Sequence, residues 1–391
     1  MGKGICVEAR CRHAGECGGC RWQQVDYGAQ LEQKQALIEA LFAPLPVQPI
    51  IPCESIWEYR NKMEFSFSQN RAKERFFGLV LAGSRGHVFN LEECFLAAPW
   101  VAELVQRVRA WWEESGLTAY HRHKNTGTLR TLTVREGKRT GDKLVMLTVS
   151  GEPAYAPSQQ QLRAFVAAVQ QELPTVSIFL CIQQQIKGSP TQVYEMHLAG
   201  PDHITERLHV LDQMLTFKIS PTSFFQPNTF QAEVLYSTAL QMIAHSPKKL
   251  ILDLYCGTAT IGMALARSAE QVIGIELNPH AVFDAESNKE CNQIANIELI
   301  CGDVGEKLFQ LKEKRPDLVV VDPPRAGLSP QAITNVLSVE PKEILYISCN
   351  PRTQAENLKF FYEAGYQCVC LQPVDQFPHT PHIENIAYLT K

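Results

Sequence analysis

Apolar and polar residues recur along this chain with two different periods, and where the period changes the chain divides. Over residues 28–43, Leu31, Ala36, Leu37, Ile38, Leu41 and Phe42 fall at helical spacing, and Pro44 and Pro46 close the run. Met63, Phe65 and Phe67 then alternate with Glu64, Ser66 and Ser68, the period-two signature of a half-buried strand. Further strand-like runs are expected at 76–81, 129–135, 143–150, 176–182 and 192–197, with helices near 100–115 and 158–172. This mixture predicts an α+β unit over residues 1–215.

From residue 216 the pattern changes. A polar, proline-bounded stretch over 219–228 leads into a helix expected at 229–244. Short continuous apolar runs at 250–254, 272–276, 297–301, 318–322 and 344–348 then alternate with helical segments. That βαβα order predicts an α/β fold, a parallel, doubly wound, Rossmann-like sheet over 216–391 with its functional loops beyond the carboxyl ends of the strands. There is no internal repeat and no low-complexity stretch. No apolar run reaches the roughly 18 residues of a membrane span, and the opening residues lack the apolar core of a secretory signal, so a cytoplasmic protein without membrane contact is expected.

Charge adds a partner class. The net charge is only −4, but residues 60–143 hold 15 Lys/Arg against 9 Asp/Glu, whereas residues 216–391 hold 14 against 19. A basic face for a polyanion beside a neutral or acidic catalytic body fits this split, and RNA is the polyanion that a basic α+β unit suggests. Scattered solvated charges would give the same counts.

Thirteen cysteines, an odd number, argue in a reducing compartment for metal, cluster or catalytic use rather than for disulfides. Cys11, Cys17 and Cys20 lie in a glycine-rich C-x5-C-x2-C turn that can wrap one soft metal centre. Cys94 is the candidate fourth ligand, with Cys53 and Cys6 as competitors. Spacing does not separate zinc from an iron–sulfur cluster.

The second half carries the chemistry. Asp253-Leu-Tyr255-Cys-Gly257-Thr-Ala-Thr-Ile-Gly262 follows the first parallel strand and opens a helix, whose glycines and free N–H groups suit a close-lying ligand. It is not G-x-G-x-x-G. Glu276 ends the next strand, placed for ribose hydroxyls, and Asp303 follows the third, a candidate for an adenine edge. An adenosyl pocket without a phosphate lock favours S-adenosylmethionine over NAD or ATP. Asp322-Pro-Pro-Arg325 makes a rigid loop after the fourth strand, with arginine where amino-methylating enzymes often carry an aromatic residue.

Ser348-Cys349-Asn350-Pro351 then puts a thiol at the tip of the fifth strand, and Glu384 follows in a Pro-rich loop that also holds His379 and His382. A thiolate that adds to C6 of a uracil makes C5 a nucleophile, and a nearby base can remove the C5 proton afterwards. Glu384 is the expected base. Either histidine could serve instead or be a loop hydrogen-bonder. Cys256, beside the same pocket, has no chemistry of its own.

These motifs together resemble the bacterial RNA 5-methyluridine methyltransferases, in the branch that carries an iron–sulfur cluster and modifies 23S ribosomal RNA. The resemblance spans nearly the whole chain. It implies a [4Fe-4S] cluster on Cys11, Cys17, Cys20 and Cys94, with a structural or RNA-orienting role. It implies S-adenosylmethionine held by Gln226 of Phe225-Gln226-Pro-Asn228 and by Tyr255, Gly257, Glu276, Asp303 and Asp322, with Cys349 as nucleophile and Glu384 as base. It further implies that the helix over 28–43 packs on the methyltransferase domain. Some members carry a small β-barrel before the first cysteine, whereas here ten residues precede Cys11. RNA capture is therefore expected to rest on the basic central region, Arg60 included. A monomer is expected. The competing expectations are a tRNA uridine methyltransferase and, from another class, a metal-containing RNA-binding or ribosome-assembly protein without catalysis.

Overall fold

The computed structural model describes residues 6–186 and 188–391. Its first sheet has the order β2-β1-β3-β4-β5-β6, built from β1 (Lys62–Gln69), β2 (Arg75–Gly78), β3 (Leu129–Glu136), β4 (Lys143–Ser150), β5 (Ser177–Gln184) and β6 (Gln192–Ala199). β4 and β5 run parallel, joined by α3 (Gln159–Gln170), and the other neighbours are antiparallel. Helix α3 begins on a capping box between Ser158 and Gln161. Helix α2 (Pro99–Ser115) starts on a proline and stops at Gly116, whose φ of 71° is the left-handed cap. Its Val101, Leu104, Val105, Val108 and Trp112 form one buried stripe on the sheet, together with Phe165 of α3.

The strand expected at 76–81 stops at Gly78. A Cβ there would lie 2.4 Å from the Phe89 carbonyl oxygen. The chain leaves β1 at this point and pairs with its own 87–91 segment, Phe89 N–H donating to Leu79 and Leu91 N–H to Phe77.

The second sheet has the order β11-β10-β9-β12-β13-β15-β14. Its strands β9 (Lys248–Leu254), β10 (Ala269–Glu276), β11 (Ile297–Cys301), β12 (Leu318–Val321) and β13 (Glu343–Ser348) are mutually parallel. Helices α5 (Thr260–Leu265), α6 (Pro279–Cys291), α7 (Val304–Gln310) and α8 (Pro330–Ser338) connect them. After α9 (Pro351–Glu363), β14 (Gln367–Val374) forms the edge and β15 (Glu384–Thr390) lies between β13 and β14, antiparallel to both.

Two features tie the halves together. Helix α1 (Tyr27–Phe42) lies against the second sheet, with Ile38 and Phe42 in one core with Leu252, Ile344 and Leu358. The hairpin β7 (Ile204–Val210) and β8 (Gln213–Ile219) precedes α4 (Thr229–Ile243). The expected division after residue 215 falls inside β8. Leu208 and Phe217 of this hairpin share a core with Leu235 of α4 and Ile251 of β9, and also with Leu144 of β4, so burial on both sides makes the hairpin a joint rather than a linker. No helix among the described residues is long and apolar enough to cross a membrane.

Candidate active site

The loops at the carboxyl ends of β9 and β10 are shaped by backbone conformation. Tyr255, Gly257 and Ala259 all take left-handed φ, at 61°, 55° and 56°, which turns the chain tightly enough to aim Gly257 N–H at Glu276. The Glu276 carboxylate accepts from Gly257 N–H at 3.0 Å and from Asn278 N–H at 2.8 Å, one on each oxygen. Asp253 is fully buried below them and accepts Gly262 N–H at 2.8 Å. That amide is therefore engaged rather than free for a ligand, and a Cβ at Gly262 would sit 2.7 Å from the same carboxylate. Burial raises the Asp253 pKa to about 7, with Asp322 and Glu276 adding to the rise.

Asp303 caps α7, its Oδ1 accepting Gly305 N–H at 2.9 Å and Glu306 N–H at 3.1 Å. It also faces the Tyr255 phenol, which burial and then Asp303 push upward. The adenine-edge candidate is thus a helix cap whose Oδ1 is already used. Gln226 is buried, and its carbonyl oxygen accepts Asn61 Nδ2 at 2.9 Å.

Tyr236, on α4, was not among the expected site residues. It is 3% exposed. Its phenol is raised well above the usual range by burial and then by Asp322, Glu384 and Asp253. One side chain thus lies within electrostatic reach of carboxyls from both halves of the site. An aromatic residue on the apolar stripe of a helix reads as core, and nothing in its spacing marks it out.

Strand register assembles the second half of the site. Ser348 at the end of β13 pairs with Asn385 in antiparallel β15, so Cys349, one step beyond, lies beside Glu384, one step before. Gln354 pins this junction from beneath: its Nε2 donates to the carbonyls of Tyr346 at 2.9 Å and Asn385 at 3.2 Å, while its Oε1 accepts Asn385 Nδ2 at 2.7 Å. Asn350 Nδ2 donates to the Arg325 carbonyl at 3.0 Å, fastening the Asp322-Pro-Pro-Arg325 loop to the thiol loop.

Both chemical groups resist ionisation. Burial pushes Cys349 up to about 11, Glu384 and Asp322 push further, and Arg325 opposes them. Glu384 is raised well above the carboxylate range by burial and then by Asp322. Asp322 itself rises to about 7 through burial. The two histidines make contacts of their own. His379 is buried, stacked 3.9 Å from Trp57, and lowered to about 4 by burial. His382 Nδ1 meets Arg325 Nη2 at 2.9 Å, and burial followed by Arg325 lowers it to about 4 as well.

Cys11, Cys17, Cys20 and Cys94 line one small cavity with His13 and Gln23. Cys53 and Cys6 do not join them: Cys53 is buried against Asn228, and Cys6 is exposed in a bridge to Val25. Among the described residues no three His, Cys, Asp or Glu side chains converge closely enough for a single metal ion. Burial raises Cys11 to about 11 and Cys20 to about 12, and their neighbouring thiols add to both rises. A larger cavity of about 680 Å³ opens between this segment and the Phe224–Pro227 loop, with Arg21, Arg60 and Lys62 in its wall. Neither Cys349 nor Glu384 lines it.

Residues 195–391 match the family described as tRNA (Uracil-5-)-methyltransferase. An uncharacterized RNA methyltransferase of Protochlamydia amoebophila is 48% identical, over 98% of this chain and 91% of that protein. Another, of Caldanaerobacter subterraneus, is 34% identical over 98% and 85%. Among solved structures, the Pyrococcus abyssi tRNA (uracil-54, C5)-methyltransferase in complex with S-adenosyl-L-homocysteine superposes with a TM-score of 0.74 at 27% identity. That alignment covers 95% of this chain and 86% of that one.

Proposed function

Because this chain belongs to the tRNA (uracil-5-)-methyltransferase family of RNA methyltransferases, we propose that it methylates C5 of a uridine in 23S ribosomal RNA through Cys349 and Glu384. The observation that carries this reading is the register of β13 and β15, which sets a thiol beside a carboxyl at the end of the sheet. C5 of uracil is a weak nucleophile until C6 is attacked. The Cys349 thiolate forms a bond to C6, and the C5–C6 electron pair moves to C5. S-adenosylmethionine supplies an electrophilic methyl on a sulfonium. C5 takes that methyl as its bond to sulfur breaks and the thioether S-adenosylhomocysteine leaves; Glu384 then removes the C5 proton, and the S–C6 bond breaks as the double bond re-forms and the thiolate leaves. The target base must leave its stack to reach the thiol.

Gln226, Tyr255, Gly257, Glu276, Asp303 and Asp322 hold the cofactor in this reading, with Tyr236 beside Gln226. Support for an adenosyl ligand comes from the turn that aims Gly257 at Glu276 and from the S-adenosyl-L-homocysteine in the Pyrococcus enzyme. Cys11, Cys17, Cys20 and Cys94 hold a [4Fe-4S] cluster in the same reading. What supports this reading is the chemistry of the donor set, four soft thiols lining one small cavity. Iron and acid-labile sulfide in the anaerobically purified protein would support it, and stoichiometric zinc would overturn it. The cluster-bearing branch it resembles is the reason for naming 23S RNA.

RNA containing 5-fluorouridine should form a stable adduct, because fluorine cannot be removed from C5 as a proton. An adduct that persists in Cys349→Ala would overturn the assignment. A tRNA substrate is favoured by the Pyrococcus enzyme's own target. Nucleoside mass spectrometry of both RNA pools, from cells with and without the protein, separates the two substrates.

A further inference from the structure

The segment Asp375–His379 leads into the base loop and is gripped by one polar face of α1. Tyr27, Gln30 and Lys34 are spaced three and four residues apart, so they share that face. The Tyr27 hydroxyl donates to Asp375 Oδ2 at 2.8 Å, and Lys34 Nζ donates to Asp375 Oδ1 at 2.6 Å and to the Phe377 carbonyl at 3.1 Å. Gln30 Oε1 accepts His379 N–H at 2.8 Å, while Gln30 Nε2 meets His379 Nδ1 at 3.2 Å. The same Nε2 donates to the carbonyls of Trp22 and Val25. Trp22 N–H in turn donates to the His379 carbonyl at 3.0 Å, and the Tyr59 hydroxyl to the Pro378 carbonyl at 3.0 Å.

The Lys34–Asp375 pair is 0% exposed on both sides. A buried ion pair is a weak source of net stability, because desolvation of both charges offsets their attraction. Its geometric effect is strong: a buried ammonium with fixed acceptors allows little movement in the chain that supplies them. His379 at φ 64° is held in a left-handed turn by these same contacts. Five residues later the chain enters β15 at Glu384.

We infer that Tyr27, Gln30 and Lys34 of α1 are positioning residues for Glu384, fixing the 375–379 segment so that the carboxyl stands beside Cys349 when the C5 proton must leave. The inference rests on Glu384 being the base. Cys349 lies on the other strand of the pair, and its loop is held by Ser348 and Asn350, which make no contact with the 375–379 segment, while Gln354 links the two strands beneath. Loosening the grip therefore slows proton removal more than thiol addition.

The test uses the full chain in three forms: Gln30→Met, the paired Lys34→Met/Asp375→Leu replacement, and Glu384→Gln as reference. The paired replacement removes both buried charges together, so neither is left uncompensated. Turnover should fall on the order of 10- to 100-fold in the first two, as for a slightly misplaced catalytic group. KM for S-adenosylmethionine should stay within about twofold, since remote positioning of this kind affects the step and not cofactor binding. A covalent adduct with natural RNA should accumulate, and amide hydrogen exchange over 376–384 should quicken while 345–350 stays unchanged. Turnover and cofactor affinity falling together, or exchange quickening equally over 345–350, would show a merely structural role and overturn the inference. If Glu384→Gln gives no adduct with natural RNA, the reading of Glu384 as base fails. The exchange pattern of the other two variants then still reports whether α1 holds the 376–384 segment.

Discussion

Two thiol centres of this protein share a residue type and differ in what faces them. At Cys11 and Cys20 the neighbours that oppose ionisation include other thiols, Cys94 and Cys17. At Cys349 they are the carboxyls of Glu384 and Asp322, with Arg325 as counterweight. Thiols that face one another are relieved together by a cationic centre they all bind. A thiol that faces carboxyls is relieved by an opposite charge, which Arg325 supplies here. Burial raises the thiols at both centres, and the companions differ: other thiols in one place, carboxyls and an arginine in the other.

The largest effect should come from removing the nucleophile. Cys349→Ala is expected to lower single-turnover methylation by more than about a thousandfold and to leave no adduct with 5-fluorouridine RNA. Glu384→Gln should cost roughly 100- to 10,000-fold in turnover, as loss of a general base does, while adduct formation persists. Unhindered turnover in that variant would mean another group serves as base. At the other centre, Cys17→Ser should lose iron and melt at lower temperature. Its KM for S-adenosylmethionine should change less than about threefold, because the cavities that Cys17 lines reach the Phe224–Pro227 loop but not the loops of Gly257 and Glu276. A loss of cofactor affinity as large as the loss of iron would erase the contrast.

A subtler test titrates Cys349 by alkylation against pH. The thiol is held up by burial and by two carboxyls, so its reactivity should climb as pH rises toward about 11. Removing the Glu384 charge should move that midpoint down, and Arg325→Met should move it up, each on the order of one pH unit. A midpoint unmoved in both variants would mean burial alone sets it. Smallest of all, Cys256→Ser should leave turnover within about threefold, since this thiol only fills space against Gly274.

Much of this was legible in the sequence, for reasons that differ by element. Unbroken apolar runs such as Leu318–Val321 are buried on both faces and announce a parallel sheet. The strand expected at 143–150 is β4 itself. The β7–β8 hairpin went unread because its alternation falls where the composition changes, and a change of composition reads as a linker. β14 and β15 were hidden by the attention that the polar motif over 377–385 draws. Their antiparallel insertion is a long-range fact that no local period encodes. Glu276 lies where spacing placed it, under Gly257 N–H, whereas Asp303 carries a capping duty that the same spacing would equally produce. Tyr236 could not be told from core.

The insertion of β15 between β13 and β14 also has a consequence for the order of assembly. Both flanking strands precede it in the chain, so β14, which also pairs with the 48–51 segment, is not joined to β13 until the last strand arrives to bridge it. A nascent chain that has emerged only as far as Val374 already contains the nucleophile and the loops over 253–262 and 276–278. It has neither Glu384 nor Asp375, the partner of Lys34 341 positions earlier. Pairing across so much chain forms late, after local helices and neighbouring strands. An unfinished polypeptide therefore carries Cys349 without Glu384, and the closing of the sheet is what first sets the thiol beside the carboxyl.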